Sequence, residues 1–104
     1  MPIIRMSILR CQPHQFVEFK EMMAESNAVL APGLRRMHGM IHFYAGADHA
    51  VSSLSNVSIW HTLADAPQLD TFQPMLDLGK TFAAKGATFE RPILNYASLW
   101  EIVP

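Results

Sequence analysis

The stretches of this chain that read as strands are apolar on both faces, and no other feature limits the possible folds as strongly. In the first, Ile3 to Cys11, alternation puts Ile4, Met6 and Ile8 on one side and Ile3 and Leu9 on the other. In the last, Ile93 to Val103, one face carries Leu94, Tyr96, Trp100 and Ile102, and the opposite face Ile93, Ala97 and Leu99. Successive strand side chains point to opposite faces, and helices can cover only one side of a single sheet, so a lone copy should have a polar second face. Burying one such apolar side chain is worth roughly 1.5–3 kcal/mol. Leaving that face in water would create a large apolar patch. The pattern therefore predicts a homodimer, with two sheets packed face to face across a two-fold axis.

Periodicity supplies the remaining elements. Pro13 suits a first helical turn. Phe16, Phe19, Met23 and Leu30 follow at helical spacing with Glu18, Lys20, Glu21 and Glu25 between them, which predicts an amphipathic helix ended by Ala31-Pro32-Gly33. Leu34 to Ala45 reads as a second strand, strongest over Met40 to Tyr44. Gly46 to His49 reads as a turn, and Ser53 to Leu63 as a third strand, strongest over Val57 to Trp60. A short helix is expected from Ala64 to about Phe72. Pro74 starts another, with Met75, Leu76, Gly79, Phe82, Ala83 and Gly86 on one face, where small residues would allow close packing on a sheet. The order β-α-β-β-α-β is the ferredoxin-like plan, an α+β fold whose four-stranded antiparallel sheet carries its helices on one face. At 104 residues, one domain spanning residues 1–104 is expected.

Half of the residues are hydrophobic and 16% are charged, a composition that can build a core. Eight basic residues stand against nine acidic ones, with no block of like charge. The basic footprint of a nucleic-acid binder is absent, as is a polybasic membrane patch. No apolar run approaches a membrane span, and the apolar start is interrupted by Arg5 and Arg10, unlike a signal peptide. Cys11 is the single cysteine, so no intrachain disulfide can form. A cytoplasmic location is the expectation.

Ala31-Pro32-Gly33-Leu34 before the second strand, and Val57-Ser58-Ile59-Trp60-His61-Thr62 leading into Ala64-Asp65, resemble the antibiotic biosynthesis monooxygenase (ABM) family of the dimeric α/β-barrel superfamily. In element order the resemblance covers nearly the whole chain. It implies a dimeric α/β barrel. Some members of the family are cofactor-free oxygenases of aromatic polyketides with an Asn and a Trp four residues apart on the third strand, and Asn56 and Trp60 have that spacing. Positions i and i+4 of a strand point the same way, about 13 Å apart, so Asn56, Ser58 and Trp60 would share a face. The resemblance implies that the Asn56 amide binds a substrate carbonyl or a developing enolate, and that the Trp60 ring stacks on a planar substrate. Two other roles stand beside these: Trp60 as a core residue joining helices to sheet, and Asn56 as the partner of a backbone group. The family oxygenases also use an Arg on the helical segment after this strand. None is found between Ala64 and Glu90, and Lys80, Lys85 and Arg91 are the nearest basic residues. The haem-degrading branch places a His ligand in that segment, and Ala64 to Gln73 contains none.

The five histidines, His14, His38, His42, His49 and His61, form no ligand motif, so no metal site is expected. His42 and Tyr44 alternate onto one side of the second strand. His42 is a candidate base, while Tyr44, Ser58 and Tyr96 are candidate substrate-binding residues. The first expectation is a monooxygenase that oxidises a small planar phenolic or quinol-like compound without a cofactor, using Asn56, Trp60 and His42. The second is a non-catalytic ligand-binding or regulatory protein, and the third a different enzyme on the same fold, such as an isomerase or a peroxidase-like relative.

Overall fold

The structure is a computed structural model that describes residues 1–104. Three strands form its centre: β1 (Ile3–Arg10), β2 (Met40–Asp48) and β3 (Ser53–Trp60). β1 pairs antiparallel with β3, and β3 with β2. The far side of β1 pairs with two short strands, β4 (Thr88–Phe89) and β5 (Leu94–Ala97), which together make one interrupted edge. The sheet order is β2-β3-β1-β4, with β5 also beside β1. This is the expected open antiparallel α+β sheet of ferredoxin-like order.

The helices are α1 (Phe16–Glu25), α2 (Asn27–Leu34) and α3 (Gln73–Ala84). All pack on the sheet face that carries Ile3, Leu9, Leu54 and Trp60, in two core clusters. One joins Ile3 and Trp60 to Leu30, Leu34, Ala66 and Leu69. The other joins Leu9 and Leu54 to Phe19, Phe82 and Ala87. Burial of Phe16 and Phe19 fixes the inner side of α1, while Glu18 and Lys20 stay in water.

Several boundaries differ from the sequence reading for physical reasons. The first helix is two helices: at Ser26 the hydroxyl donates to the Met23 carbonyl (2.6 Å), a local bond that competes with helix continuation. Pro32 does not end α2. Its fixed φ suits a helix, the loss is one backbone hydrogen bond, and burial of Leu30 and Leu34 on either side outweighs it. Leu34 thus belongs to a helix, and the second strand starts only at Met40, after Gly39 reverses the chain at φ +75°. β2 runs through Gly46 and Ala47 to Asp48, because Gly46 and Ala47 pair with Ser55 and Leu54. The reversal lies instead at His49–Val51, where Asp48 accepts from the Ala50 N–H (3.1 Å). The inner face of α3 is Met75, Leu78 and Phe82, with Leu78 in the place expected for Leu76. Gly79 is not a close-packing glycine, since a Cβ there would meet nothing within 4 Å. The final strand stops at Ala97. Ser98 still donates its N–H to the Pro2 carbonyl (2.9 Å), but β1 begins at Ile3 and offers the following residues no pairing partner.

The other sheet face is uncovered. Ile4, Met6 and Ile8 of β1 pair with Ile59, Val57 and Ser55 of β3 on that side, flanked by Tyr44, Leu94 and Tyr96. Beyond the sheet, Leu99, Trp100, Ile102 and Val103 are all more than 70% exposed. The two-faced apolar character read from the sequence is present on the structure.

Candidate functional site

Between the helices and the covered face of the sheet lies a cavity of about 840 Å³. β1 and β3 form its floor. Residues paired across antiparallel strands stand side by side with Cβ atoms about 4.5–5.5 Å apart. Arg5 is therefore the neighbour of Ser58, and Ser7 the neighbour of Asn56. Ile3 beside Trp60 and Leu9 beside Leu54 bracket these polar pairs at either end. Apolar side chains from the helices, including Leu30, Met75 and Phe82, form the roof.

Asn56 is half-buried on the cavity floor, and its amide makes no hydrogen bond to protein. The structure thus leaves two donors and one acceptor for an occupant. Trp60 shares its strand face, as the spacing predicts, but not the cavity. It is completely buried in the core, and its indole N–H donates to Ser58 Oγ (2.8 Å), itself completely buried. Neither side chain lines the cavity. The structure places both in the core, where the pair joins helices to sheet, rather than on the cavity wall where stacking by Trp60 and a ligand contact by Ser58 were expected.

His42, Tyr44 and Tyr96 are placed by register. His42 pairs with Ile59, Tyr44 with Val57 and Tyr96 with Ile4, all on the uncovered face. The His42 and Tyr44 rings lie 5.9 Å apart there, and both residues are exposed. His42 meets the cavity only at its rim, beside the irregularity between Met40 and His42. The geometry therefore does not bring the three together with Asn56, and a proton transfer from a ligand at Asn56 to His42 is not supported.

Sequence reasoning missed Arg5, Ser7 and Asp70. Arg5 is 5% exposed, and its guanidinium Nη2 donates to Asp70 Oδ1 at 2.5 Å. Asp70 lies on the 3₁₀ stretch Ala66–Thr71 that follows β3, and its side chain is half in water. The signal was present: along Ile3-Arg5-Ser7-Leu9 a charged and a polar residue stand between two apolar ones on the covered face. A buried charge is expensive unless it is paired, and Asp70 is the partner of Arg5. Arg35, Lys80 and Arg91 stand at the cavity's exposed edges, and Asp70 is its one acidic residue.

No three His, Cys, Asp or Glu side chains are grouped to hold a metal ion. Burial pushes the Cys11 thiol up from its ordinary range, which disfavours the nucleophilic thiolate. No helix is long and apolar enough to cross a membrane.

No protein-family model matches the chain, and no curated protein does. Solved structures do. A protein of Deinococcus radiodurans described as a candidate antibiotic biosynthesis monooxygenase superposes with a TM-score of 0.73 at 12% identity, over 98% of this chain and 97% of its own. SnoaB, a cofactor-independent oxygenase from Streptomyces nogalater, gives a TM-score of 0.66 at 14% identity, over 97% and 96% of the two chains. A Nitrosomonas europaea protein with the same description as the first gives 0.66 at 14% identity, over 95% and 91%. Likeness at such identity is likeness of fold, and it agrees with the sheet order, the helix placement and the element sequence. The chain has the fold of the antibiotic biosynthesis monooxygenases.

Proposed function

We propose that this protein is a cofactor-independent monooxygenase that oxidises a small planar phenolic or quinol-like compound in the cavity over β1 and β3. The observation that carries the reading is the unpartnered Asn56 amide, which lies beside Ser7 on the floor of a cavity roofed by apolar side chains. An amide there holds the substrate oxygen and favours the charge that develops on it. The phenol loses its proton to water at the open cavity mouth. The electron-rich anion then reduces dioxygen, and a carbon–oxygen bond forms at an activated CH₂ ring position. The resulting hydroperoxide loses water to leave a quinone. One oxygen atom ends in the product and the other in water.

Oxygen uptake with anthrone-like phenols and quinols tests this. Wild type should consume oxygen, and Asn56→Ala should do so about 10²–10³-fold more slowly, the usual effect of deleting one such donor. Absence of uptake by the wild type, or equal rates in both proteins, refutes it. The alternative is a non-catalytic ligand-binding or regulatory protein. Burial of Trp60 favours it, because the residue expected to stack on substrate is occupied elsewhere. Ligand-induced stabilisation without oxygen uptake would establish it.

A homodimer belongs to the same proposal. Ile4, Met6, Ile8, Val57 and Ile59 make a continuous apolar strip on the uncovered face, and a second copy packed there would close a barrel. A cytoplasmic location is proposed with it, on the single unpaired cysteine.

A further inference from the structure

The cavity combines an apolar roof with a buried cation on its floor. An arginine has five N–H donors, and Arg5 uses its Nη2 on Asp70 with no other side-chain hydrogen bond. None of its remaining nitrogens is both sealed from open space and unpaired, and Arg5 lines the cavity. Arg5 is thus a 95%-buried residue that lines the cavity and keeps unspent donors with access to open space. Asp70 neutralises the charge from one side only, through a carboxylate half in water. Arg35, Lys80 and Arg91 at the edges add three further positive charges against no other acid.

We propose that Arg5 is an anion-recognition residue, and that the cavity takes a small aromatic compound carrying an ionised oxygen, a carboxylate or a phenolate. That oxygen meets the free edge of the Arg5 guanidinium, which suits planar oxyanions. The ring rests under the apolar side chains of the roof. A second polar group of the ligand reaches Ser7 and Asn56, one step along the floor. Asp70 holds Arg5 in place while the cavity is empty and competes with the ligand anion when it is filled. The proposal rests on the cavity being the ligand site, but it does not require turnover.

The test is binding, measured by calorimetry in the absence of oxygen, so that its failure is separate from a failure of the oxygenase reading. The carboxylate arm compares 2-naphthoate with its neutral isostere 2-naphthamide. Wild type should bind the naphthoate about tenfold or more tightly than the amide, as for other charge-assisted contacts of arginine. In Arg5→Met the preference should vanish. Because Arg5 is buried, Asp70→Asn provides a second variant that keeps the cation and removes its competitor: naphthoate should bind several-fold more tightly and the amide as before. The phenolate arm follows the yellow absorbance of 4-nitrophenol. On binding to wild type its apparent pKa should fall by about one unit, as beside a nearby opposite charge, and in Arg5→Met it should not. A response in one arm alone identifies the anion and supports the proposal. Equal binding of naphthoate and amide with no shift of nitrophenol, binding of none of the probes, or a preference that survives Arg5→Met overturns it.

Discussion

The assignment of Trp60 to the core is the sharpest departure from what the family resemblance implied, and a double-mutant cycle decides it. Trp60 and Ser58 are both completely buried and joined by one hydrogen bond of 2.8 Å. In Trp60→Phe the ring shrinks and the Ser58 hydroxyl loses its partner. An orphaned buried polar group costs about 1–3 kcal/mol, and the lost packing adds about 1–2 kcal/mol, below the full cost of truncation to alanine. The sum is about 2–5 kcal/mol, a large part of the roughly 5–15 kcal/mol that a domain has in total. Ser58→Ala alone strands the indole N–H and should cost about 1–3 kcal/mol. In the double variant neither group is left unpaired, so its loss should fall short of the sum by both orphan penalties together, about 2 kcal/mol or more.

The assay is urea unfolding at one protein concentration, since any self-association would shift apparent stability. Circular dichroism is the suitable signal, because Trp60→Phe removes one of only two tryptophans. Naphthoate binding should stay near the wild-type value in every folded variant. Two results would refute the reasoning. Additivity of the single variants within about 0.5 kcal/mol would mean that the hydrogen bond contributes nothing. A Trp60→Phe protein of unchanged stability that loses ligand would mean that the ring serves the cavity instead.

Two further outcomes are expected. Gly39→Ala should lower stability by at least 1–2 kcal/mol, on the order of the strain of an alanine held in the left-handed region: Gly39 has φ +75°, and an added Cβ would also collide with the Asp65 carboxylate; unchanged thermal unfolding would contradict it. Ile59→Lys, at the middle of the uncovered face between Ile4 and His42, should turn a dimer into a monomer in light scattering without changing the circular dichroism. A wild type that is monomeric at micromolar concentration would defeat the dimer itself.

Much of the fold was legible because it depends on periodicity. Ile3, Leu9, Leu54 and Trp60 lie on the covered face as alternation requires, and Phe16 and Phe19 lead the amphipathic helix. Boundaries were legible only where local chemistry ruled. Gly86 ends α3 with φ +98°, as a glycine stop should, whereas Pro32 continues a helix because the neighbouring leucines decide. The site was less legible, for a different reason. Asn56 could be placed from its own strand, but the face shared by His42 depends on the register of β2 against β3, which is a long-range property. Arg5 was visible as a charge inside an apolar strand, yet its meaning required Asp70, 65 residues away in sequence.

The pairing of β1 with β3 ties these observations together. Reading along it, Ile3–Trp60 and Leu9–Leu54 are apolar pairs buried under the helices, and Arg5–Ser58 and Ser7–Asn56 are polar pairs between them. The alternate positions, Ile4–Ile59 and Met6–Val57, are apolar and face the other way. A slip of one residue would exchange these faces, putting the arginine on the open side and the isoleucines of that side against the cavity. The two buried apolar pairs are what prevent the slip, since it would take Ile3 and Leu9 away from Trp60 and Leu54 and into water at a cost of several kcal/mol. Core packing at the two ends of the strands thus sets the position of the polar groups in the middle. On this account Trp60 bears on ligand binding without touching the ligand, because it fixes the register that holds Arg5, Ser7 and Asn56 under one cavity.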